Sequence, residues 1–132
     1  MLAPIPPSGW SSWNAFHCTL NETLVLRQAA LLVSTGLRDA GFNSMHLDDC
    51  VYAPSRDNAT GRLLPAHTFP SGFAALSAQL GAINISLGMY SDMGFRTCQG
   101  LPGLLDFEET DATTFSAWGV RFLKNDGCFT GS

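Results

Sequence analysis

The sequence predicts an α/β fold, about four strand–helix units forming the N-terminal half of a (β/α)8 TIM barrel. One partial catalytic domain would span residues 1–132, truncated after the fourth strand. Three observations predict it. Strand-like and helix-like segments alternate four times, the pattern of a parallel sheet with helical crossovers. Each strand-like segment ends in polar or charged side chains, as strands do at the mouth of such a barrel. The turn after the first strand, Asn14-Ala15-Phe16-His17-Cys18, has no glycine, whereas an open nucleotide-binding sheet carries a Gly-rich turn there.

Gly9-Trp10-Ser11-Ser12-Trp13 is the first strand candidate. Thr19-Leu20-Asn21-Glu22 has capping-box spacing, with Thr19 bonding the Glu22 N–H. The helix it opens is expected to run to about Ala40, with Leu26, Ala30, Val33, Leu37 and Ala40 on one face and Gly41 as its stop. Asn43 to Asp49 is the second strand. The polar stretch from Val51 to Pro70 reads as a long loop with a small hairpin. Ser71 caps a second helix with Phe73, Leu76, Leu80 and Ile83 at helical spacing. Ile85 to Asp92 is the third strand, followed by a Gly/Pro-rich loop from Met93 to Leu104. Asp106, Glu108, Glu109 and Asp111 crowd the start of a third helix, where the helix dipole favours acids. Ala112, Phe115 and Trp118 form its buried stripe. The fourth strand runs from Val120 to Cys128, and Val120, Phe122, Lys124 and Asp126 share one face of it.

Composition narrows the function. Only 14% of residues are charged, low against the usual quarter, so much of the surface is buried. The net charge is -4, with 7 Lys+Arg scattered and in no basic run, which argues against nucleic acid as a partner. The apolar runs, such as Ala29 to Val33, are far shorter than a membrane span. No charged segment followed by an apolar core opens the chain, and Met1-Leu2-Ala3-Pro4-Ile5 reads as the extended start of a mature domain. The 4 Cys and the sequons Asn21-Glu22-Thr23, Asn58-Ala59-Thr60 and Asn84-Ile85-Ser86 favour an oxidising, secretory compartment.

The strand ends carry the chemistry. They are Trp13-Asn14, Asp48-Asp49-Cys50, Tyr90-Ser91-Asp92 and Lys124-Asn125-Asp126. In a barrel these converge on one rim, where acids and a lysine can bond hydroxyls and an aromatic face can pack on C–H groups of a polyhydroxylated ligand. A charged pair such as Lys124 and Asp126 is costly inside a barrel mouth unless it is used. His17, His46 and His67 lack metal-ligand spacing and read as structural or surface groups. Four cysteines permit three pairings. Joining Cys18 to Cys50 and Cys98 to Cys128 would close long loops worth roughly 3–4 kcal/mol each on the chain-entropy model.

Six segments in order resemble glycoside hydrolase family 27, the α-galactosidases (melibiases) and α-N-acetylgalactosaminidases. They are Gly9 to Phe16, Leu47-Asp48-Asp49-Cys50, Phe69-Pro70-Ser71-Gly72, Gly88 to Asp92, Trp118-Gly119-Val120 and Leu123-Lys124-x-Asp126-x-Cys128. The resemblance implies retaining hydrolysis of terminal α-linked galactose, with an α-galactoside oligosaccharide or glycoconjugate as partner and neither cofactor nor metal. It makes Asp126 the nucleophile, Trp13, Asp48, Asp49, Tyr90 and Lys124 sugar-binding residues, and Cys18–Cys50 and Cys98–Cys128 the disulfides. It places the acid/base Asp downstream of Ser132 and leaves room for a homodimer of the full-length protein. It also implies an extracellular, lysosomal or vacuolar location. Ser11, Val51, Asn125 and Gly127 depart from the usual pattern, which has Asn, Trp, Tyr and Asn there.

A complete barrel needs roughly 250 residues, so the chain reads as a fragment in preference to a half-barrel that dimerises, with negligible activity on its own. A non-catalytic galactoside-binding product is the alternative function. A Schiff-base aldolase using Lys124 is a weaker one, since a neighbouring carboxylate favours the ammonium.

Overall fold

The computed structural model describes residues 6–130; the extended start expected at residues 1–5 lies outside them. Four parallel strands lie side by side in sequence order: β1 (Gly9–Ser11), β2 (Ser44–Leu47), β3 (Ser86–Asp92) and β4 (Phe122–Asp126). Between them run a single helical turn, α1 (Trp13–Phe16), and the helices α2 (Glu22–Ser34), α3 (Gly72–Ala82) and α4 (Glu108–Ala117). This is the predicted succession of strand–helix units.

The pleat separates two environments. Met45, Leu47, Leu87 and Met89 point to the helical side, all at most 1% exposed, and join Val25, Ala29, Leu32, Phe73, Leu76 and Leu80 in the main core. Apolar burial of this kind drives folding. The opposite face is set by the pairings Ser11↔His46, His46↔Gly88, Gly88↔Phe122, Tyr90↔Lys124 and Asp92↔Asp126. Apart from Phe122, small and polar residues line it. His46 and Phe122 meet edge to face at 5.6 Å across Gly88. A Cβ at Gly88 would stand 3.1 Å from the Phe122 ring and 3.5 Å from that of His46, so glycine makes room for the pair.

Several local expectations are corrected. Helix α2 stops at Ser34, six residues before Ala40, because Gly36 adopts a left-handed backbone (φ 78°) and the Arg38 N–H returns to the Leu32 carbonyl. Leu37, counted to the buried face, is 44% exposed. The buried positions are Val25, Ala29 and Leu32, so the face turned to the sheet is offset from the expected one. No capping box forms. Asn21 is the N-cap, its Oδ1 accepting from the Leu24 N–H at 2.9 Å, while Thr19 Oγ1 donates to the Phe16 carbonyl and Glu22 accepts from the Ser71 N–H. Ser71 precedes α3 as expected but makes no side-chain capping bond. β1 ends at Ser11, and Trp13 begins the α1 turn instead of closing the strand.

The segment from Val51 to Pro70 does form a hairpin, with Tyr52 bridged antiparallel to Pro65. It is less polar inside than its sequence suggests: Val51, Tyr52, Leu63 and Phe69 are at most 2% exposed. Tyr52 packs among Phe73, Phe115 and Trp118 and donates its hydroxyl to the Tyr90 carbonyl at 2.6 Å. In α4 the inward positions are Asp111, Thr114 and Phe115; Ala112 is exposed. Asp111 is therefore more than a dipole-favoured surface acid. Arg56 grips it with both terminal nitrogens, at 2.6 and 2.7 Å, and donates to the carbonyls of Gly61 and Gly103 while lying 4.0 Å over the Phe107 ring. One guanidinium thus ties the hairpin, the loop after β3 and α4 together.

Candidate active site

The C-terminal ends of β2, β3 and β4 bring five of the six ligand-facing residues expected from sequence into one network. Lys124 and Asp126 lie two residues apart on β4, so both point to the polar face. Lys124 Nζ meets Asp48 Oδ2 at 2.8 Å and sits 5.0 Å over the Tyr90 ring. The Tyr90 hydroxyl donates to Asp126 Oδ2 at 3.2 Å. Burial, reinforced by the Asp49 charge, raises the Tyr90 phenol above its ordinary value, so the hydroxyl keeps the proton it donates.

Asp48 and Asp49 are 3% and 1% exposed, yet both are well supplied with donors. Asp48 Oδ1 accepts from the Asp49 N–H, and the Asp48 N–H is held by the buried Ser12 hydroxyl. Asp49 accepts from the N–H groups of Cys50 and Gln99 at 2.7 and 3.0 Å. Burial still raises its carboxyl above the usual value, with those N–H bonds pulling the other way. Beneath Asp48 lies His46. Its Nε2 is 3.2 Å from the Met89 carbonyl, which can only accept. That atom therefore carries the proton, and Nδ1 accepts from Ser11 at 3.1 Å. Burial holds the ring below its ordinary pKa, consistent with a neutral imidazole.

Two disulfides close the rim. Cys18 is bonded to Cys50 and Cys98 to Cys128, at sequence separations of 32 and 30. The first fixes the backbone directly after Asp49 and the second fixes it two residues past Asp126. Trp13 stands apart from the hydrogen-bonded network; its half-buried ring packs edge-on against His17 at 5.0 Å.

Asp92 ended a strand in the sequence but received no role there. It is 0% exposed. Its two oxygens accept from the N–H groups of Gly94 and Cys128 at 2.8 and 2.9 Å, joining the loop after β3 to the end of β4. The signal was legible, because Asp92 has the same parity as Tyr90 on an alternating strand. Ligand atoms of Asp92, Cys98, Asp126 and Cys128 gather within 4.8 Å. The two sulfurs are bonded to each other, however, so the cluster offers two carboxylates and no thiolate, a poor donor set for a metal.

The chain that carries this rim is similar in sequence and fold to known proteins. The family model Melibiase_2, described as Alpha galactosidase A, covers residues 5–132. The chain belongs to this α-galactosidase family. It is 45% identical over 128 residues to Alpha-galactosidase 2 of Arabidopsis thaliana, and 46% identical over 129 residues to the Alpha-galactosidase of Coffea arabica. Those alignments take in 96% of this chain but 32% and 34% of the relatives. Among solved structures, the α-galactosidase of Saccharomyces cerevisiae superposes with a TM-score of 0.92 at 38% identity, over 96% of this chain and 28% of that one. α-Galactosidase I of Mortierella vinacea gives 0.92 at 35%, over 95% and 32%. The sheet is thus the N-terminal part of the family's TIM barrel, and the chain spans about a third of the length of these relatives.

Proposed function

We propose that these four units carry the nucleophile's side of a retaining α-galactosidase active site. The observation that carries the reading is the pairing of Tyr90 with Asp126 and of Lys124 with Asp48 across adjacent strands, in a chain whose relatives bear that activity in their names. Lys124 and Asp48 bond the hydroxyls of the terminal galactose, Asp49, buried with both oxygens on backbone N–H groups, holds the loop beside them, and Trp13 offers an aromatic face at the mouth. The Asp126 carboxylate attacks the anomeric carbon. The C1–O bond to the leaving group breaks as a second carboxyl protonates that oxygen, and water later hydrolyses the galactosyl–Asp126 ester.

Retaining pairs stand roughly 5–5.5 Å apart, and Asp92 is near enough to Asp126 to invite that role. Its complete burial and its two backbone donors fit a holder of the rim better than an acid that must reach a leaving group. The acid/base belongs to the part of its relatives' length that this chain does not span. A related yeast α-galactosidase has been solved with raffinose, which supports α-galactosyl oligosaccharides as the substrate class. The two disulfides support an oxidising, secretory location. The aldolase alternative loses ground to the geometry, since an ammonium engaged with Asp48 at 2.8 Å presents no lone pair to a carbonyl.

The test is covalent trapping. A 2-deoxy-2-fluoro-α-galactosyl fluoride should label Asp126 in a protein carrying this sequence together with the remaining barrel units, and peptide mapping would locate the adduct. Label on another carboxylate, or slow binding with no adduct, would remove Asp126 from the role and favour the non-catalytic reading.

A further inference from the structure

Asn58 stands at the tip of the hairpin between β2 and α3, in the sequence Asn58-Ala59-Thr60, and all three residues are exposed. Asp57 closes this tip. Its Oδ1 accepts from the Thr60 N–H at 2.7 Å, the Thr60 hydroxyl at 2.6 Å and the Ala59 N–H at 3.2 Å. Among the described residues no hydrogen bond engages the Asn58 carboxamide, so its nitrogen faces solvent unencumbered. The tip also lines a groove of about 570 Å³ together with Phe95 and Phe107. These rings are 52% and 36% exposed. Of the arginines beside them, Arg56 is taken up by Asp111 and two carbonyls, whereas the exposed Arg96 gives one bond to the Gly100 carbonyl. The groove thus sets aromatic surface beside polar side chains, a mixture that suits the C–H faces and hydroxyls of a sugar.

The other two sequons are placed differently. Asn21 already caps α2 through its side chain. Asn84 sits in a turn at φ 56°, followed by Ile85, 2% exposed, and by Ser86 inside β3. Only at Asn58 are an open carboxamide, an exposed threonine and an adjoining aromatic groove found together.

We propose that Asn58 is an N-glycosylation site and that the first sugar of its glycan lies in this groove against Phe95 and Phe107. The inference rests on the secretory location proposed above and is independent of the hydrolase chemistry. The donor is an oligosaccharide carried on a polyprenyl pyrophosphate. Asn58 Nδ2 attacks the anomeric carbon, the N–C bond forms, the bond from that carbon to the pyrophosphate oxygen breaks, and the lipid pyrophosphate leaves with the electron pair. One amide proton passes to a base of the transferase, and nothing is oxidised or reduced.

The experiment secretes the protein from a eukaryotic host behind the host's own leader. This imposes the compartment, so a failure here is distinct from a failure of the proposed location. Peptide N-glycosidase treatment in heavy-oxygen water should convert Asn58 to labelled Asp, and Asn58→Gln should lose that glycan. An unmodified Asn58 in the secreted, disulfide-bonded protein would overturn the proposal. Placement is read with a hydrophobic dye. Asn58→Gln should gain dye fluorescence over the glycosylated protein, and adding Phe95→Ser should lose that gain. A glycosylated Asn58 whose removal leaves dye binding unchanged would overturn the groove contact.

Discussion

Arg56–Asp111 and Lys124–Asp48 are both cation–carboxylate pairs in the same small sheet assembly, and their surroundings differ sharply. The Arg56 and Asp111 side chains are 11% and 0% exposed, bidentate, and roofed by Phe107. The guanidinium has further bonds to two carbonyls, which leaves little capacity for a ligand. Lys124 is 41% exposed and gives Asp48 a single contact. Of its three N–H donors, the others have no hydrogen-bond partner among the described residues. The first pair is a finished joint between three segments. The second is held in place yet left incomplete, which is what the proposed sugar-binding role requires.

That contrast can be broken from either side. Arg56→Ala leaves Asp111 charged, buried and alone, so unfolding in urea should show a loss of about 3–5 kcal/mol. A loss no larger than that of an exposed pair would show that the joint is not structural. Lys124→Met should do the reverse in a protein with all eight units. Galactoside binding should weaken by about 1.5–3 kcal/mol, the scale of a hydrogen bond to a charged group, or roughly 10–150-fold. Its cost in urea should be smaller than that of Arg56→Ala, because water can reach the vacated position. Equal losses from the two variants would erase the distinction.

Asp92→Asn tests a third kind of carboxylate, one that only accepts from backbone. Replacing an oxygen by NH2 leaves Gly94 or Cys128 without its acceptor, at about 1–3 kcal/mol of stability. With Asp126 as the proposed nucleophile in a protein with all eight units, kcat should fall with little change in KM, since the β4 end carrying Asp126 is what loosens. A KM effect alone would place Asp92 among the sugar-binding groups instead.

The smallest effect is in pH dependence. His46 is buried, and its folded-state pKa lies below 6.5. The unfolded chain therefore takes up a proton more readily than the native one, and stability should decline as pH falls from 6.5 toward the lower native value. Urea titrations across that window should show the decline in the parent and a flatter profile in His46→Gln. An equal slope in both would mean that some other group titrates there.

Much of this architecture is written in local patterns. Alternation along Phe122, Lys124 and Asp126 put the lysine and the carboxylate on one face without reference to any neighbour. The spacing of Phe73, Leu76 and Leu80 did the same for α3. These are periodicities of the backbone itself, so they survive in the sequence. Other features required a partner far along the chain. Nothing near Asp111 announces that Arg56, on a different loop, will neutralise it, and the acids at the start of α4 have a sufficient local explanation in the helix dipole. Glu22 suggests a capping box until Ser71, distant in sequence, claims its carboxylate. Leu37 and Ala40 continue a helical apolar pattern, but Gly36 ends the helix first.

The sequence by itself determined the four strand–helix units, the polar strand ends and the cysteine placement, because each follows from short-range periodicity or composition. The tertiary structure alone decided which cation answers which carboxylate, that Asp92 is a backbone anchor, and that His46 and Phe122 meet over Gly88. Those outcomes depend on register between neighbouring strands and on contacts between loops, and no single stretch of chain encodes either.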